Sequence, residues 1–407
     1  MSSKAKTTTT KPDGIPALTP KLRFPEFRDA AGWKEQTLSF ACQMQAGKFV
    51  SASEIKEQNA QGLYPCYGGN GLRGYTATFT HSGKYSLIGR QGALCGNVKI
   101  GFGQFHATEH AVVVTPKNGI KGDWLFYLLD LLNLNRFATG QAQPGLSVDV
   151  LQKLPIAIPN QEPEQQKIAE CLSSVDELMA AQVRKLDALK THKKGLMQQL
   201  FPREGETQPR LRFPEFQNAG EWDADELAKV ADFVNEKVPL ERVSLENYVS
   251  TENILPDYGG VTRASKLPTT GSVTRFRSND TLVSNIRPYL KKVWVADNEG
   301  GASNDVIVIR AKQRLHAHYL SWLLKNDAFI DYVMTGAKGV KMPRGDIGSI
   351  KVYPTHYPTK PEQQRIADCL TSLDDLIAAQ TQKLDALKTH KKGLMQQLFP
   401  SAQAVEA

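Results

Sequence analysis

The chain contains two copies of one plan, and this internal duplication constrains its fold more than any other feature of the sequence. Residues 163–202 and 361–400 are identical at 32 of 40 positions, and the last 18 of these are identical without a break. Upstream, residues 20–33 and 209–222 are identical at nine of 14 positions. The copies begin 198 residues apart (361 − 163), far beyond the roughly 20–50 residues of a solenoid repeat. We therefore predict two large half-molecules.

Both copies of the 40-residue segment carry the heptad pattern of a long helix. Apolar residues recur at alternating spacings of four and three, and a glutamine, Gln182 or Gln380, interrupts each series. Proline stands at the first turn of each segment and again after the last seam position, which marks the start and the end of a helix. We predict two helices that pack on each other along this seam. The seam residues are Ile168, Leu172, Val175, Met179, Leu186, Leu189, Ile366, Leu370, Leu373, Ile377, Leu384 and Leu387.

The regions between the repeated segments have a different pattern. Short runs rich in β-branched and aromatic residues alternate with turn residues, which is typical of strands. A helical stretch follows the strands in each region, at residues 124–133 and 318–325. Each region then ends in a Thr-Gly pair (Thr139-Gly140 and Thr335-Gly336), a polar loop, a short amphipathic piece and a proline. We predict an α+β chain with two similar α/β domains, each followed by one long helix.

Composition places the chain among folded proteins. Hydrophobic residues make up 41% and charged residues 23%, and no apolar run is long enough to span a membrane. The five scattered cysteines form no C-x-x-C pair and favour reduced thiols in the cytoplasm, where we expect the protein to lie. The predicted segments are a mobile tail at 1–19, a first domain at 20–160, a helix at 161–202, a linker at 203–208, a second domain at 209–360, a helix at 361–400 and a tail at 401–407.

Three patterns imitate catalytic chemistry without its context. Residues 69–74 match G-x-G-x-x-G, but a strand pattern follows where a dinucleotide site requires a helix. His106 and His110 are four apart in a β-like stretch, so they would not share a helical face as metal ligands. Asp13 with Glu54 and Lys56 superficially matches a nuclease signature, but Asp13 falls in the expected tail. We predict no catalytic residue, metal or cofactor site in this chain.

Basic and hydrogen-bonding side chains indicate a different chemistry. The net charge is +8, and residues 260–351 carry 15 Lys and Arg against seven Asp and Glu. Lysine and arginine neutralise phosphates, while arginine, asparagine and glutamine can read base edges. A solvated basic face explains any one of these residues better, but the two regions as wholes favour DNA. The candidate contacts are Tyr67, Asn70, Arg73, Lys84, Arg90, Gln91, Asn97, Gln141, Gln143, Arg275, Arg277, Asn285, Arg287, Tyr289, Lys291, Lys292, Lys338, Lys341 and Arg344.

The layout resembles the specificity subunit of type I restriction-modification systems, over essentially residues 20–400. The resemblance rests on the duplication, the L-R-F-P-x-F segments at 22–27 and 211–216, and E-Q-Q-x-I-A at 164–169 and 362–367. It implies two target-recognition domains separated by an antiparallel pair of heptad helices. It also implies a bipartite, asymmetric double-stranded DNA target, two methyltransferase subunits and restriction (translocase) subunits as partners. S-adenosylmethionine, ATP and Mg would be bound in those subunits.

The sequence departs from the family pattern at one place, and it leaves two alternative functions open. The first copy enters its long helix through Ile156-Ala-Ile158-Pro159, whereas the second has Thr355-His-Tyr357-Pro358, so we expect an irregular strand there. A nuclease or methyltransferase in its own right is opposed by the missing motifs. A coiled-coil scaffold that binds only proteins would show no sequence-selective affinity for DNA.

Overall fold

The computed structural model describes residues 18–140, 144–269 and 271–400. The chain divides into unit 1, which comprises residues 1–183 and 383–407, and unit 2, which comprises residues 184–382. Each long helix therefore contributes one part to each unit. Most of the expected tails at 1–19 and 401–407, and the candidate contacts Gln141 and Gln143, lie outside the described residues.

Unit 1 is built on a six-stranded sheet with helices against it. Its elements are β1 (Lys34–Thr37), α1 (Leu38–Ala41), β2 (Cys42–Ala46), β3 (Tyr64–Gly68), β4 (Gly71–Thr76), β5 (His81–Gly89), β6 (Val98–Ala107), β7 (Ala111–Pro116), α2 (Gly122–Leu131), α3 (Val148–Gln152), β8 (Pro155–Ile158) and the first part of α4 (Glu162–Leu200). The strand order is β2-β7-β5-β6-β3-β4, and β1 pairs separately with β8. The core contains the fully buried Trp33 and Trp124, whose rings meet edge to face.

Unit 2 repeats this plan with a second sheet of its own. Its elements are β9 (Asp223–Glu226), α5 (Leu227–Val230), β10 (Ala231–Phe233), β11 (Lys237–Pro239), β12 (Tyr248–Val249), β13 (Ser272–Phe276), β14 (Thr281–Ser284), β15 (Val293–Val295), β16 (Gly300–Ala302), β17 (Val306–Ala311), α6 (Ala317–Leu324), α7 (Asp327–Thr335), α8 (Ile347–Lys351), β18 (Pro354–Tyr357) and the first part of α9 (Lys360–Leu398). The sheet β10-β17-β14-β15 corresponds to β2-β7-β5-β6 of unit 1. The sheet β11-β13-β16-β12 is separate, whereas β3 of unit 1 joins the main sheet through β6.

The strand that enters the second long helix is regular, so the expected irregularity was wrong. β18 pairs with β9 over four residues, as β8 pairs with β1. Thr355 and Tyr357 are buried where the first copy buries two isoleucines. The Tyr357 hydroxyl donates to Asp225 Oδ2 at 2.8 Å and accepts from Arg314 Nη1 at 3.2 Å. The strand tolerates these polar side chains because the buried hydroxyl has hydrogen-bond partners.

The glutamate of each E-Q-Q segment fixes the preceding L-R-F-P-x-F segment to the start of a long helix. Glu164 is buried and accepts hydrogen bonds from Arg23 Nε at 2.7 Å, Arg23 Nη2 at 2.8 Å and Trp33 Nε1 at 3.1 Å. Glu362 accepts from Arg212 Nε and Nη2 at 2.8 and 2.6 Å. A two-pronged guanidinium–carboxylate pair is a strong, directional contact. These repeated residues therefore have a structural role.

The first glutamine of each E-Q-Q segment binds the backbone that leads into another helix. Gln165 Oε1 accepts from the backbone N–H of Lys121, immediately before α2, and Nε2 donates to Gly119 O. Gln363 Oε1 accepts from the backbone N–H of His316, immediately before α6. Both glutamines are buried and satisfy backbone groups that a helix start leaves without intrahelical partners.

In unit 1 the beginning of α4 packs against the end of α9. Met395, Leu398 and Phe399 share a core cluster with the seam residues Ile168 and Leu172. The Phe399 ring lies 6.0 Å from the Trp33 ring and 6.1 Å from the Trp124 ring. In unit 2 the end of α4 packs in the same way against the beginning of α9, through Leu200, Phe201, Ile366 and Leu370. The other predicted seam residues are buried or half-buried along the two helices.

An ion pair joins the two helices at equivalent positions in each unit. In unit 1, Lys391 Nζ lies 2.7 Å from Asp176 Oδ1, and the Tyr127 hydroxyl of α2 donates to Asp176 Oδ2 at 2.8 Å. In unit 2, Lys193 pairs with Asp374. Asp176 and Asp374 are 198 positions apart (374 − 176), as are Lys193 and Lys391 (391 − 193). The duplicated sequence therefore forms the same contact twice.

Candidate nucleic-acid interface

Three loops of unit 1 are joined by backbone hydrogen bonds at one end of the sheet. The Arg90 N–H, directly after β5, donates to His110 O at 2.9 Å. Arg90 O accepts from Leu146 N–H, and Gly92 N–H donates to Pro144 O, both at 2.9 Å. Backbone hydrogen bonds of this kind hold loops in place on a rigid scaffold. We call these segments loop cluster 1, which comprises residues 90–97, 108–110, 139–140 and 144–146.

Unit 2 has the same arrangement in the corresponding places. The Asn285 N–H, directly after β14, donates to Asp305 O at 2.8 Å. Asn285 O accepts from Gly345 N–H at 3.2 Å, and Arg287 N–H donates to Pro343 O at 2.8 Å. We call these segments loop cluster 2, which comprises residues 285–292, 303–305 and 338–345. Each of the three backbone bonds of cluster 1 thus has a counterpart in cluster 2, although the loop sequences differ.

The last segment of each cluster is a closed hairpin loop. In unit 1, Thr139 and Gly145 exchange backbone hydrogen bonds at 2.9 and 2.8 Å. In unit 2, Lys338 and Arg344 exchange the same two bonds, both at 2.9 Å. Five residues lie between the closing residues in each hairpin, and they include a proline at the fifth position after Thr139 or Lys338. The two closed segments thus have equal length and different sequences.

A glycine begins each hairpin for a conformational reason. Gly140 and Gly339 have φ angles of +97° and +96°, a region that residues with a Cβ rarely adopt. The counterpart of the Thr139-Gly140 pair is therefore Lys338-Gly339. The Thr-Gly pair that ends the second region of the sequence, Thr335-Gly336, instead ends α7, so similarity of sequence alone does not align these loops.

Several predicted contacts of unit 1 meet around a cleft of about 520 Å³. Asn70, Arg73 and Gln91 line it together with His110. Asn97 Nδ2 donates to Asn70 Oδ1 at 3.4 Å, which joins the β3–β4 turn to loop cluster 1. The G-x-G-x-x-G segment forms this turn and continues into β4. The cleft brings amide and guanidinium groups together on exposed loops, which suits contacts with phosphates and base edges.

Two predicted contacts of unit 1 have other surroundings. Lys84 Nζ pairs with Asp123 Oδ1 of α2 at 2.5 Å, and it lies within β5 instead of at its loop end. The Tyr67 ring meets the Phe105 ring edge to face at 5.5 Å, and burial raises the pKa of the Tyr67 hydroxyl. Tyr67 therefore packs in part against the core cluster that contains Phe105.

Arg275 and Arg277 of unit 2 lie on β13 and directly after it, in the second sheet. Both bind Glu236, at 3.0 and 3.1 Å, and Arg275 also binds Glu299 at 3.2 Å. These arginines hold the pKa of Glu236 below its usual range. The structure thus places the two arginines in an acidic network instead of in loop cluster 2.

Two adjacent lysines of loop cluster 2 also have partners within unit 2. Lys291 Nζ pairs with Asp327 Oδ1 at 2.6 Å, and Lys292 Nζ donates to Thr251 O at 2.6 Å. Both side chains are only partly exposed. Their charge remains part of the loop, but a contact with a phosphate would compete with these bonds.

Asn285 and Arg287 lie where loop cluster 2 joins its hairpin. Arg287 has a φ of +51° and Lys291 a φ of +53°, so non-glycine residues hold a left-handed conformation on both sides of a short 3₁₀ turn that includes the exposed Tyr289. Within the part of the chain that the structure describes, Asn285 Oδ1 and Arg287 Nε are buried without a hydrogen-bond partner. Residues with a Cβ seldom adopt this conformation, and those that do are enriched at functional sites.

The hairpin of unit 2 also contains two exposed residues that are not among the predicted contacts. Val340 is fully exposed (103%) and Met342 is half exposed (50%). Lys341 lies between them, and Lys338 and Arg344 flank them with ion pairs to Asp346 at 3.5 Å and Asp305 at 3.2 Å. The shared spacing of glycine and proline, G-x-x-x-P at 140–144 and 339–343, is the signal that could have identified both hairpins.

The histidines that imitated a metal site have separate environments. His106 is buried and its ring binds Lys48 O and Thr78 Oγ1, both at 3.0 Å, while His110 pairs with Glu109. In the described ranges, no group of three or more His, Cys, Asp or Glu side chains could hold a metal ion. Nor is any helix in those ranges long and apolar enough to cross a membrane.

The two units repeat one sheet plan and one set of backbone bonds between loops, while the side chains of those loops differ. The chain belongs to the type I restriction modification DNA specificity domain family, whose model matches residues 31–191 and 247–389. The family membership that the sequence indicated is thereby confirmed, as is the mixed α/β fold with a two-domain repeat.

Curated relatives carry the same description. The type I restriction enzyme EcoprrI specificity subunit of Escherichia coli is 48% identical over 151 residues, which are 37% of each chain. The match to this relative thus spans little more than a third of its length. The putative type I restriction enzyme MjaX specificity subunit of Methanocaldococcus jannaschii is 25% identical over 321 residues, which are 72% of this chain and 71% of that protein.

Solved structures share the fold. The type I restriction-modification S subunit from M. genitalium matches with a TM-score of 0.64 at 15% identity, over 94% of this chain and all of that chain. A chain from a structure describing complex assembly and conformational transition of the type I R-M system matches with a TM-score of 0.53 at 14% identity, over 91% of this chain and 98% of that chain.

Proposed function

We propose that this chain is the DNA-reading specificity subunit of a type I restriction-modification complex, and that it recognises a bipartite, asymmetric target. The observation that carries the proposal is the repetition of one loop cluster in both units with different side chains. A shared backbone with different side chains suits two readers that dock alike and recognise different bases. Direct reading of a base pair requires side chains that reach the base edges, since the major groove presents a distinct pattern for each pair.

The long helices would set the separation between the two half-sites as an antiparallel heptad spacer. Each helix has 39 residues, or about 58 Å at 1.5 Å per residue. One turn of duplex is about 34–36 Å, so two readers spaced by such helices would contact separate stretches of DNA. The target would then contain two half-sites separated by base pairs that neither unit recognises.

The chemistry would reside in the partners. Two methyltransferase subunits would bring S-adenosylmethionine, and restriction subunits would bring ATP and Mg. This chain would select the DNA and hold those subunits at it, and its cytoplasmic location would follow from that role. Its buried Glu164 and Glu362 are committed to arginine pairs in the fold, which leaves the exposed loops as the sequence-dependent part.

Methylome sequencing of cells with and without this chain tests the proposal. Methylation at one bipartite motif should be lost when the chain is absent. Exchange of residues 90–146 for the corresponding region of a relative with another motif should change one half-site. The other half-site and the gap between the two should stay unchanged. A methylated motif of consecutive recognised base pairs, with no gap, would contradict the proposal that the long helices separate two half-sites. A chain whose absence leaves every methylated motif in place would instead fit a scaffold that binds only proteins.

Single substitutions distinguish phosphate contacts from base contacts in loop cluster 2. Lys341→Ala should weaken binding to all sequences alike and reduce the salt dependence by about one unit of slope. Arg287→Ala should relax selectivity in the second half-site. The loss of one bidentate contact should lower the discrimination against the wrong base by about 1–3 kcal/mol. Lys291→Ala with Lys292→Ala is expected to weaken binding to all sequences, and also to lower stability because both lysines have partners in the fold. Equal effects of Arg287→Ala on target and random DNA would remove Arg287 from the readers.

A further inference from the structure

The hairpin of loop cluster 2 exposes apolar side chains that the fold does not use. Val340 is fully exposed (103%) and Met342 half exposed (50%), and neither belongs to a core cluster. Isolated exposed apolar residues are ordinary on a surface. Here, however, two of them lie at the tip of one loop of the candidate DNA interface, where bound DNA would be close enough to cover them.

The tip is held firmly although its side chains are exposed. Its base is closed by the two bonds between Lys338 and Arg344, and the buried Pro343 accepts the N–H of Arg287. Arg344 is further tied to Asp305. A projecting loop with a fixed base can press its tip against a partner without first paying to order itself.

The charge around the tip indicates the partner. Lys338, Lys341 and Arg344 surround the two apolar residues, and Lys341 forms no ion pair within the described part of the chain. Proteins that bend DNA combine these same elements, because an apolar side chain enters between two base pairs while neighbouring cations hold the phosphates. A polyanion whose interior is apolar fits this combination, and stacked base pairs meet that description.

We propose that Val340 and Met342 form an apolar wedge that enters between two stacked base pairs of the second half-site. This inference rests on the proposed DNA-reading function and adds a mode of recognition to it. The wedge unstacks one base step, so the ease of unstacking that step contributes to selectivity without a hydrogen bond to either base. Pyrimidine–purine steps unstack most readily, and the wedge therefore selects such a step in the second half-site.

The first half-site supplies an internal comparison. The positions that correspond to Val340, Lys341 and Met342 are Gln141, Ala142 and Gln143 in the sequence. Amide side chains form hydrogen bonds with base edges and gain little from contact with base faces. The wedge is accordingly confined to the second half-site, and the first serves as the unperturbed control.

The experiment uses the full chain assembled with its methyltransferase subunits, on duplexes that carry the target mapped by methylome sequencing. 2-Aminopurine, which pairs with thymine, replaces each adenine of either strand in turn through both half-sites, and its fluorescence rises where stacking is lost. Unstacking is expected at one step of the second half-site and at none that adjoins the first hairpin. Val340→Ser with Met342→Ser should abolish that rise and weaken target binding by about tenfold, which corresponds to the loss of about 1.4 kcal/mol.

Val352→Ser is the matched control, because Val352 is also an exposed valine of unit 2 (48%) and lies outside loop cluster 2. It should leave fluorescence and affinity unchanged, and thermal unfolding should show all variants to be folded. Selective binding with no unstacked step overturns the wedge and leaves the reading function intact. Weaker binding when uracil replaces thymine, without unstacking, assigns the tip to a thymine methyl group and likewise overturns the wedge. Loss of all sequence selectivity in the unaltered complex overturns both proposals.

Discussion

A fragment that ends at residue 203 should form a homodimer through a copy of a contact that the full chain already makes. Unit 1 buries Met395, Leu398 and Phe399 from the end of α9. Residues 186–202 are identical to residues 384–400, so the fragment lacks these three residues but carries their equivalents at 197, 200 and 201. A second copy can supply them, and the contact then becomes a two-fold symmetric interface.

The magnitude follows from burial. Met395, Leu398 and Phe399 are 7%, 1% and 2% exposed. Burial of each such side chain is worth about 1.5–3 kcal/mol, or roughly 5–9 kcal/mol for the three. A typical domain has a net stability of about 5–15 kcal/mol, so a monomeric fragment would lose most of the stability of unit 1. A dimer regains the contact twice, and this should exceed the cost of association.

A charge exchange tests the dimer at one defined contact. In the dimer Asp176 would face Lys193 of the second copy, as it faces Lys391 in the full chain. Asp176→Lys should weaken the dimer because two lysine pairs then oppose each other, and Lys193→Asp in the same fragment should restore it. Sedimentation over a micromolar range measures the assembly state. A folded monomer throughout that range would refute the reasoning, and so would a failure of the double exchange to restore association.

Two further predictions concern the stability of the fold. Glu164→Gln should lower the free energy of unfolding by about 3–5 kcal/mol, because Arg23 is then left buried without its counter-charge; denaturant unfolding measures this, and Arg23→Gln in addition should recover part of the loss. Burial lowers the pKa of His316 and of His356 below the usual 6.5. At a pH between the folded-state and unfolded-state pKa of each histidine, the unfolded state therefore binds more protons than the folded state. Stability should therefore be fully present above about pH 6.5 and fall as the pH drops through the lowered pKa values. Thermal unfolding at a series of pH values should show this loss, and His316→Gln with His356→Gln should reduce it; an unchanged slope in the double variant would contradict the assignment.

The duplication and the helices could be predicted from sequence because both depend on local pattern. Heptad spacing and flanking prolines place two long helices at 161–202 and 361–400, and the structure has them at Glu162–Leu200 and Lys360–Leu398. The strand at 354–357 was judged irregular because it lacks isoleucines. Its tyrosine is satisfied by Asp225, a residue 132 positions away in sequence, and no local pattern reveals such a partner.

The loop clusters were less predictable for the same reason. Individual basic and amide residues could be selected by type, and Asn70, Arg73 and Gln91 do meet around one cleft. Side-chain type could not show that Arg275 and Arg277 bind Glu236, since that pairing depends on how distant segments meet. The equivalence of the two hairpins is carried by backbone bonds and one Gly–Pro spacing, so it is nearly invisible to comparison by identity.

The same duplication predicts that the chain tolerates circular permutation. The chain would be opened between residues 202 and 209, and Pro400 would be joined to Pro20. Leu211 N–H donates to Gln199 O and Leu22 N–H donates to Gln397 O, both at 2.9 Å. Twelve positions separate Gln199 from Leu211 (211 − 199), six of them being the linker 203–208. Joining Pro400 to Pro20 through a copy of that linker would place Leu22 twelve positions after Gln397 as well.

A permuted chain of this kind, which starts at residue 209 and ends at residue 202, should therefore fold with both contacts intact. It lacks Leu18 and therefore loses the backbone bond from Trp33 N–H to Leu18 O at 2.7 Å, which costs about 1 kcal/mol. It also loses the packing of the partly buried Leu18 side chain against the core of unit 1, which costs about 1 kcal/mol more. The unfolding midpoint should fall by only a few degrees, and the methylated motif should remain the same. A control that joins Pro400 directly to Pro20 leaves six positions where the contact needs twelve, and it should unfold far more easily. Equal stability of the two permuted chains would show that the Leu22–Gln397 contact does not determine how the halves join.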